Sequence, residues 1–264
     1  MTLSSLESIS KIIGVIHLLP LPGSPNFGAS IETILEHALQ DCKTYHNSGV
    51  DSAIIENFGD APFTGGRVQP VTISSMTLIA HELRKQFPEV RFGINVLRND
   101  TEAALSIAKV VGAEFIRVNV HVGAVIADQG IIQGKAYETL RLRKNLNSDV
   151  KIFADVGVKH SSQLGDYDIR LQARDALERG LADAIIITGA RTGTAVDFRE
   201  LQRLRKEFPS AKIIIGSGAK AANAKKLLKY VNSIIVGTSI KVGGITLNPV
   251  DSKRLKDFVK AANS

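Results

Sequence analysis

Eight short β-branched runs alternate with eight helical patterns along 264 residues, and this alternation predicts an α/β fold: eight βα units closed into a single (β/α)8 barrel over residues 1–264. Two further observations sharpen the prediction. Several runs, such as Ala184-Ile185-Ile186-Ile187 and Ile213-Ile214-Ile215, are continuously apolar, as parallel strands covered on both faces must be. Links from strand to helix are long and rich in Gly, Pro and polar groups, whereas links from helix to strand are terse. An open doubly wound sheet would normally need fewer strands, so the TIM barrel is the expected architecture.

The eight strand runs fall at 11–18, 52–57, 91–97, 115–120, 151–156, 184–188, 212–216 and 233–237. The first follows a polar stretch and includes His17, and the apolar run 12–21 is far too short to cross a membrane, so it reads as a strand and not as a signal peptide. After it, Ile31, Ile34, Leu35, Ala38, Leu39 and Cys42 recur at helical spacing and draw one apolar stripe, which places Cys42 in the core and not at a reactive site. Asn99 or Asp100 before Thr101, and Asp197 before Phe198, are suited to cap the helices that begin there. Leu201, Leu204 and Phe208 mark a late helix, and Leu255, Phe258, Val259 and Ala262 mark the last. The segments 92–116 and 213–235 share one layout of strand, short polar loop, helix and strand, and no low-complexity linker begins a second domain.

Composition narrows the function classes. Hydrophobic residues at 44% and charged residues at 22% are those of a globular chain, which excludes global disorder. One cysteine cannot form an internal disulfide, and no Cys/His spacing suits zinc; both favour a reducing, cytoplasmic compartment. The net charge of +7 is spread out except for Lys220, Lys225, Lys226 and Lys229, which have no interleaved aromatics for base stacking. That stretch reads as a solvated helix face, so nucleic acid is not expected as a partner. No P-loop lysine motif is present and no dinucleotide GxGxxG follows the first strand.

In such a barrel the strand-to-helix loops form the C-terminal face, where active sites lie. The long loops at 19–30, 59–69, 121–135, 157–167 and 189–196 therefore point to a small-molecule site. Gly216-Ser217-Gly218 after strand seven and Gly237-Thr238-Ser239 after strand eight are the expected phosphate cradle, since glycine lets the backbone approach an anion and hydroxyls add donors. Two turns needing glycine for geometry alone are the alternative. Glu56 and Asn57 end strand two, Asn95 ends strand three, Arg117 and Asn119 lie in strand four, and Asp155 in strand five. Polar groups among aliphatics are costly without partners or a task, and mutual pairing, such as Arg117 with Glu56 or Asp155, is the competing explanation for any one of them. Asp155 and Glu56 are the candidate proton-transfer groups, with Lys159 and His160 as further candidate catalytic residues. His17, Asn57, Asn95, Arg117, Asn119 and Arg191 are the candidate substrate contacts. No cofactor is expected; a divalent metal would need His17, Glu56, Asp155 and His160 to converge, which spacing alone does not establish.

Four segments carry a family resemblance: Gly14-Val15-Ile16-His17-Leu18-Leu19-Pro20-Leu21-Pro22-Gly23-Ser24-Pro25, Glu56-Asn57-Phe58-Gly59-Asp60-Ala61-Pro62-Phe63, Gly93-Ile94-Asn95-Val96-Leu97-Arg98-Asn99-Asp100 and Phe153-Ala154-Asp155-Val156-Gly157-Val158-Lys159-His160. With Asp128-Gln129-Gly130 and Val236-Gly237-Thr238-Ser239-Ile240-Lys241, they resemble the BtpA family over nearly the whole chain. The resemblance implies a barrel of the ribulose-phosphate-binding type. It assigns no catalytic residue, and it implies one of two functions. The first is an enzyme acting on a phosphorylated sugar or nucleotide-derived molecule by isomerase, lyase or glycosyl-transfer chemistry. The second is a non-catalytic biogenesis factor for a membrane complex of the photosystem I type, in peripheral contact with the membrane. A barrel of this size is also expected to self-associate.

Overall fold

The computed structural model describes residues 10–157, 161–164, 168–188 and 197–264. Eleven strands occur among them: β1 (Ile12–His17), β2 (Ser52–Glu56), β3 (Arg91–Asn95), β4 (Phe115–Val118), β5 (Ala124–Ala127), β6 (Gly130–Gln133), β7 (Lys151–Val156), β8 (Ser161–Gln163), β9 (Ala184–Ile187), β10 (Ile213–Ile215) and β11 (Ser233–Val236). The helices are α1 (Ile31–Asn47), α2 (Pro70–Gln86), α3 (Thr101–Val111), α4 (Ala136–Asn145), α5 (Ile169–Arg174), α6 (Phe198–Glu207), α7 (Ala221–Leu227) and α8 (Ser252–Asn263). Eight parallel strands close a barrel in the order β1-β11-β10-β9-β7-β4-β3-β2, with each of the eight strand runs read from the sequence in its place.

Successive side chains on a strand point to opposite faces, and here both faces are apolar for different reasons. One set, which includes Ile13, Val15, Ile54, Phe115, Phe153, Ala184, Ile186, Ile214 and Ile235, fills the barrel interior. The other set, among them Ile16, Ile55, Ile94, Ile152, Ile185, Ile215 and Ile234, packs outward against the helices. Continuous apolar runs are the direct result. Phe115 and Phe153 stack with ring centroids 4.4 Å apart and form an aromatic floor. A Cβ on Gly93 would lie 2.1 Å from the Phe115 ring, so glycine in β3 makes the room that the floor requires.

Helix starts follow the capping logic. Ser30 accepts from the Thr33 amide, Asp100 from Ala103 and Asp197 from Arg199. Cys42 is fully buried on the inner stripe of α1, and burial pushes its thiol up to about 12. Gly112, with φ +71°, ends α3 in the left-handed region.

The structure departs from the sequence reading in two loops. Residues 124–127, 130–133 and 161–163, read as parts of long loops, form a separate antiparallel sheet in the order β6-β5-β8. Val125 and Ile132 pack with Val120 beneath it. Strand ends are also one or two residues shorter than the runs, which leaves Asn57, Asn119 and Thr188 just beyond β2, β4 and β9.

Candidate functional site

Residues two beyond an inward apolar side chain also point inward, so the strands carry their interior face on to the mouth. His17 follows Val15, Glu56 follows Ile54, Asn95 follows Gly93, Arg117 and then Asn119 follow Phe115, and Asp155 follows Phe153. The register sets His17 beside Glu56 and Glu56 beside Asn95 on three adjacent strands. A polar layer thus replaces the aliphatic one at the C-terminal end of the barrel. Above it lies a cavity of about 390 Å³, lined by His17, Glu56, Arg117, Asn119 and Asp155, by 216–220 and 237–239, and by Phe58, Phe63, Leu97, Arg98, Thr188, Gly244 and Thr246.

Arg117 organises the layer. It donates from Nε to Asp155 Oδ1 and from Nη2 to Asp155 Oδ2, both at 3.0 Å, and its Nη1 lies 3.9 Å from Glu56 Oε2. Asn119 Nδ2 donates to Asp155 Oδ2 at 2.8 Å. The Asp155 carboxylate therefore accepts three hydrogen bonds from the protein. Glu56 accepts one, from Asn95 Nδ2. Burial raises the Glu56 carboxyl above its usual range, against the opposing pull of Arg117 and the Asn95 hydrogen bond. Burial, helped by the charges of Lys241 and Arg117, holds His17 well below an ordinary imidazole, so the ring is neutral at pH 7. Its Nε2 is 4.0 Å from Glu56 Oε1. His17 Nδ1 and Asn119 Oδ1 are buried and make no hydrogen bond within the described protein.

Glycines in the two late loops keep the cavity open. A Cβ on Gly216 would lie 2.5 Å from Ile186 Cγ2, and one on Gly237 would lie 2.8 Å from His17 Cε1. Ser239 Oγ donates to the Ala219 carbonyl at 3.2 Å and joins the two loops, while Thr238 and Thr246 share a hydroxyl hydrogen bond at 3.0 Å. Gly218 has φ +75°, where glycine is favoured.

Gly216, Ser217, Gly218, Gly237, Thr238 and Ser239 all line this cavity, together with His17, Glu56, Arg117, Asn119 and Asp155. Asn95 and Asn57 stand behind it. Asn95 is spent on Glu56, and Asn57 accepts from the Leu97 amide at 2.7 Å and donates to Asp60 at 3.0 Å. Lys159, His160 and Arg191 lie outside the described residues. Among the described residues no group of three His, Cys, Asp or Glu side chains could hold a metal ion.

Three features were not singled out from the sequence. Phe58 and Phe63 line the cavity from the loop after β2. Lys241, four residues beyond Gly237, is fully buried against Asp41 of α1. Asp41 was detectable: it falls on the buried stripe of α1 with Ile34, Ala38, Cys42 and Tyr45, where a charge demands a partner.

The family model described as "BtpA family" matches residues 9–264. An uncharacterized protein of Pyrococcus abyssi is 45% identical over 96% of both chains. The photosystem I biogenesis protein BtpA of Synechocystis is 42% identical over 97% of this chain and 89% of its own. An uncharacterized mitochondrial protein of Caenorhabditis elegans is 35% identical over 96% of this chain and 93% of its own. Among solved structures, phosphoribosyl anthranilate isomerase from Thermus thermophilus aligns with a TM-score of 0.60 at 9% identity, over 96% of this chain and 98% of that one. A 3-hexulose-6-phosphate synthase aligns at 0.56 and 15% identity, over 96% and 99%. At these identities the likeness to solved structures is one of fold.

Proposed function

This chain belongs to the BtpA family, and on that footing we propose that it is an enzyme acting on a phosphorylated sugar or nucleotide-derived small molecule at the C-terminal mouth of its barrel. The observation that carries this reading is the polar layer. Charged and amide groups from adjoining strands replace the apolar filling of the barrel at the level where a cavity opens above them. A scaffold has no need of it.

The groups divide by geometry. The turns at 216–218 and 237–239 hold the phosphate, in the position that this fold commonly uses for it. Asp155, occupied by Arg117 and Asn119, fixes the guanidinium at the floor of the cavity, where it stabilises negative charge as it develops. Glu56, with a raised carboxyl and a single hydrogen bond, moves the proton beside a carbonyl or anomeric carbon. His17 and Asn119, which line the cavity, contact the substrate hydroxyls. Lys159 and His160 remain candidate catalytic residues and Arg191 a candidate substrate contact, on the sequence alone, since all three lie outside the described residues. Isomerase, lyase and glycosyl-transfer chemistry all fit this set. Neighbours in fold include enzymes whose names refer to phosphorylated compounds, which supports the substrate class by analogy.

Thermal melting against sugar phosphates, nucleoside monophosphates and inorganic phosphate tests the reading. A ligand at a hundred times its Kd stabilises by about 2.7 kcal/mol, or roughly 5–10 °C for a chain of this size. Ser217→Asp, which sets a negative charge in the cradle, is expected to abolish that shift while leaving the unliganded melting temperature within a few degrees. Absence of any shift with every anion would move the weight to the biogenesis-factor reading, which the name of the Synechocystis relative favours. Among the described residues no helix is long and apolar enough to cross a membrane.

A further inference from the structure

The cavity has two chemically different ends. In the closed strand order β10 stands diametrically opposite β3 and three strands from β2, so the turn 216–218 faces the loops that follow β2 and β3 across the mouth, whereas β11 is separated from β2 by β1 alone and its Gly237 lies against His17. The near end is small, polar backbone. The far end carries the apolar side chains of Phe58, Phe63 and Leu97, with Arg98 next to Leu97. The Phe58 and Phe63 centroids are 6.4 Å apart with planes tilted by 57°, and Phe58 meets the edge of the neutral His17 ring at 5.2 Å.

This aromatic wall is built to stay in place. Phe58 begins a short helical turn, Phe58–Asp60, in which the Gly59 amide donates to the Leu18 carbonyl at 3.0 Å and Asp60 Oδ1 accepts from the Leu21 amide at 2.8 Å. A Cβ on Gly59 would lie 2.4 Å from the Pro20 nitrogen, so the chain is pressed against the loop after β1. Asn57 ties the other side to Asp60 and to Leu97. The fixed turn holds an aromatic surface toward the cavity at the end remote from the turn 216–218. His17 and Asn119 also line the cavity, as polar side chains suited to the hydroxyls of a sugar.

From this arrangement we infer that the ligand carries a flat unsaturated ring at the end remote from its phosphate, and that a nucleoside monophosphate fits the cavity better than a bare sugar phosphate. An aliphatic sugar alone would leave Phe58 and Phe63 facing water. A heterocyclic ring lies on them, its sugar meets the polar layer, and its phosphate reaches the two turns. The inference rests on the phosphate reading given above. It makes Phe58 and Phe63 specificity-determining residues and Asn57 the positioning residue behind them.

The test is a titration of the protein with AMP, UMP, adenosine and ribose 5-phosphate, repeated on Phe63→Ala and Phe58→Leu, with unliganded melting curves to confirm that each variant is folded. Stacking on an aromatic side chain is worth roughly 5- to 150-fold in affinity. A nucleoside monophosphate is therefore expected to bind that much more tightly than ribose 5-phosphate, and Phe63→Ala is expected to bring the ratio toward one. Equal binding of ribose 5-phosphate and both monophosphates, or a ratio unchanged in both variants, overturns the ring inference and leaves the phosphate cradle standing. Adenosine binding as tightly as AMP removes the cradle but not the ring. No binding by any of the four overturns both.

Discussion

Asp41→Ala is expected to lower folding stability by about 3–5 kcal/mol, because it strands a buried ammonium. Lys241 and Asp41 are both inaccessible to solvent, and the carboxylate of Asp41 serves two partners, Lys241 Nζ through Oδ2 and the Val250 amide through Oδ1 at 2.7 Å. Those partners stand at the two ends of the segment 241–250, which Lys241 and Val250 also close by a backbone bridge. Within it, Gly244 and Thr246 line the cavity. Burial already pulls Lys241 below an ordinary lysine, with Asp41 opposing the shift, so removing the carboxylate drives the amine toward neutrality or the loop toward opening. Urea denaturation reads the loss, and a change below about 1 kcal/mol would refute the argument. Replacing both partners, Asp41→Leu with Lys241→Met, is expected to recover more than half of the stability, since apolar pairs often substitute for buried ion pairs without penalty. The same double variant should still respond poorly to ligand, because the segment that carries Thr246 has lost its clamp.

The second large effect is on turnover. Glu56→Gln is expected to reduce kcat by about 10²–10⁴-fold on whichever phosphorylated compound proves to be the substrate, the usual contribution of a positioned general base. The sign of the pH dependence follows from burial. A carboxyl raised above its ordinary 4.5 takes up its proton earlier on acidification, so kcat/KM falls as pH drops through a midpoint above 4.5. Glu56→Gln should flatten that acidic limb, since the amide does not titrate. Persistence of both rate and limb in Glu56→Gln would return the proton-transfer role to Asp155, which the sequence had placed beside it.

Much of this site was legible because the barrel imposes a two-residue period on its interior. Once Val15, Ile54, Phe115 and Phe153 are inward, His17, Glu56, Arg117 and Asp155 follow at the mouth. The pairing of Arg117 was legible as a choice between Glu56 and Asp155, and three dimensions settle it by distance: two contacts at 3.0 Å to Asp155 against 3.9 Å to Glu56. Asn57 shows the limit. A polar residue at a strand end can face the ligand or brace the loop, and only the fold reveals that its amide is consumed by Leu97 and Asp60. The Asp41–Lys241 pair joins residues 200 positions apart, a separation no local pattern encodes. Sheet β6-β5-β8 escaped because its strands sit in segments rich in Gly, Asp, Gln and Ser that read as loop, whereas barrel strands as short, such as β10, lie in apolar runs that alternate with helical patterns.

That small sheet changes how the rim can evolve. In a barrel of independent βα units, each loop is a separate module, free to lengthen, shorten or be exchanged without consulting its neighbours. Here β5 lies in the loop after β4 and β8 in the loop after β7, and Ala127, Ile126 and Val125 of one pair with Ser161, Ser162 and Gln163 of the other. An exchange of the loop after β4 would leave β8 without its ladder, and an exchange of the loop after β7 would leave β5 paired on one side only, with β6. The two therefore form one heritable unit, and diversification on this side of the rim has to proceed by paired change.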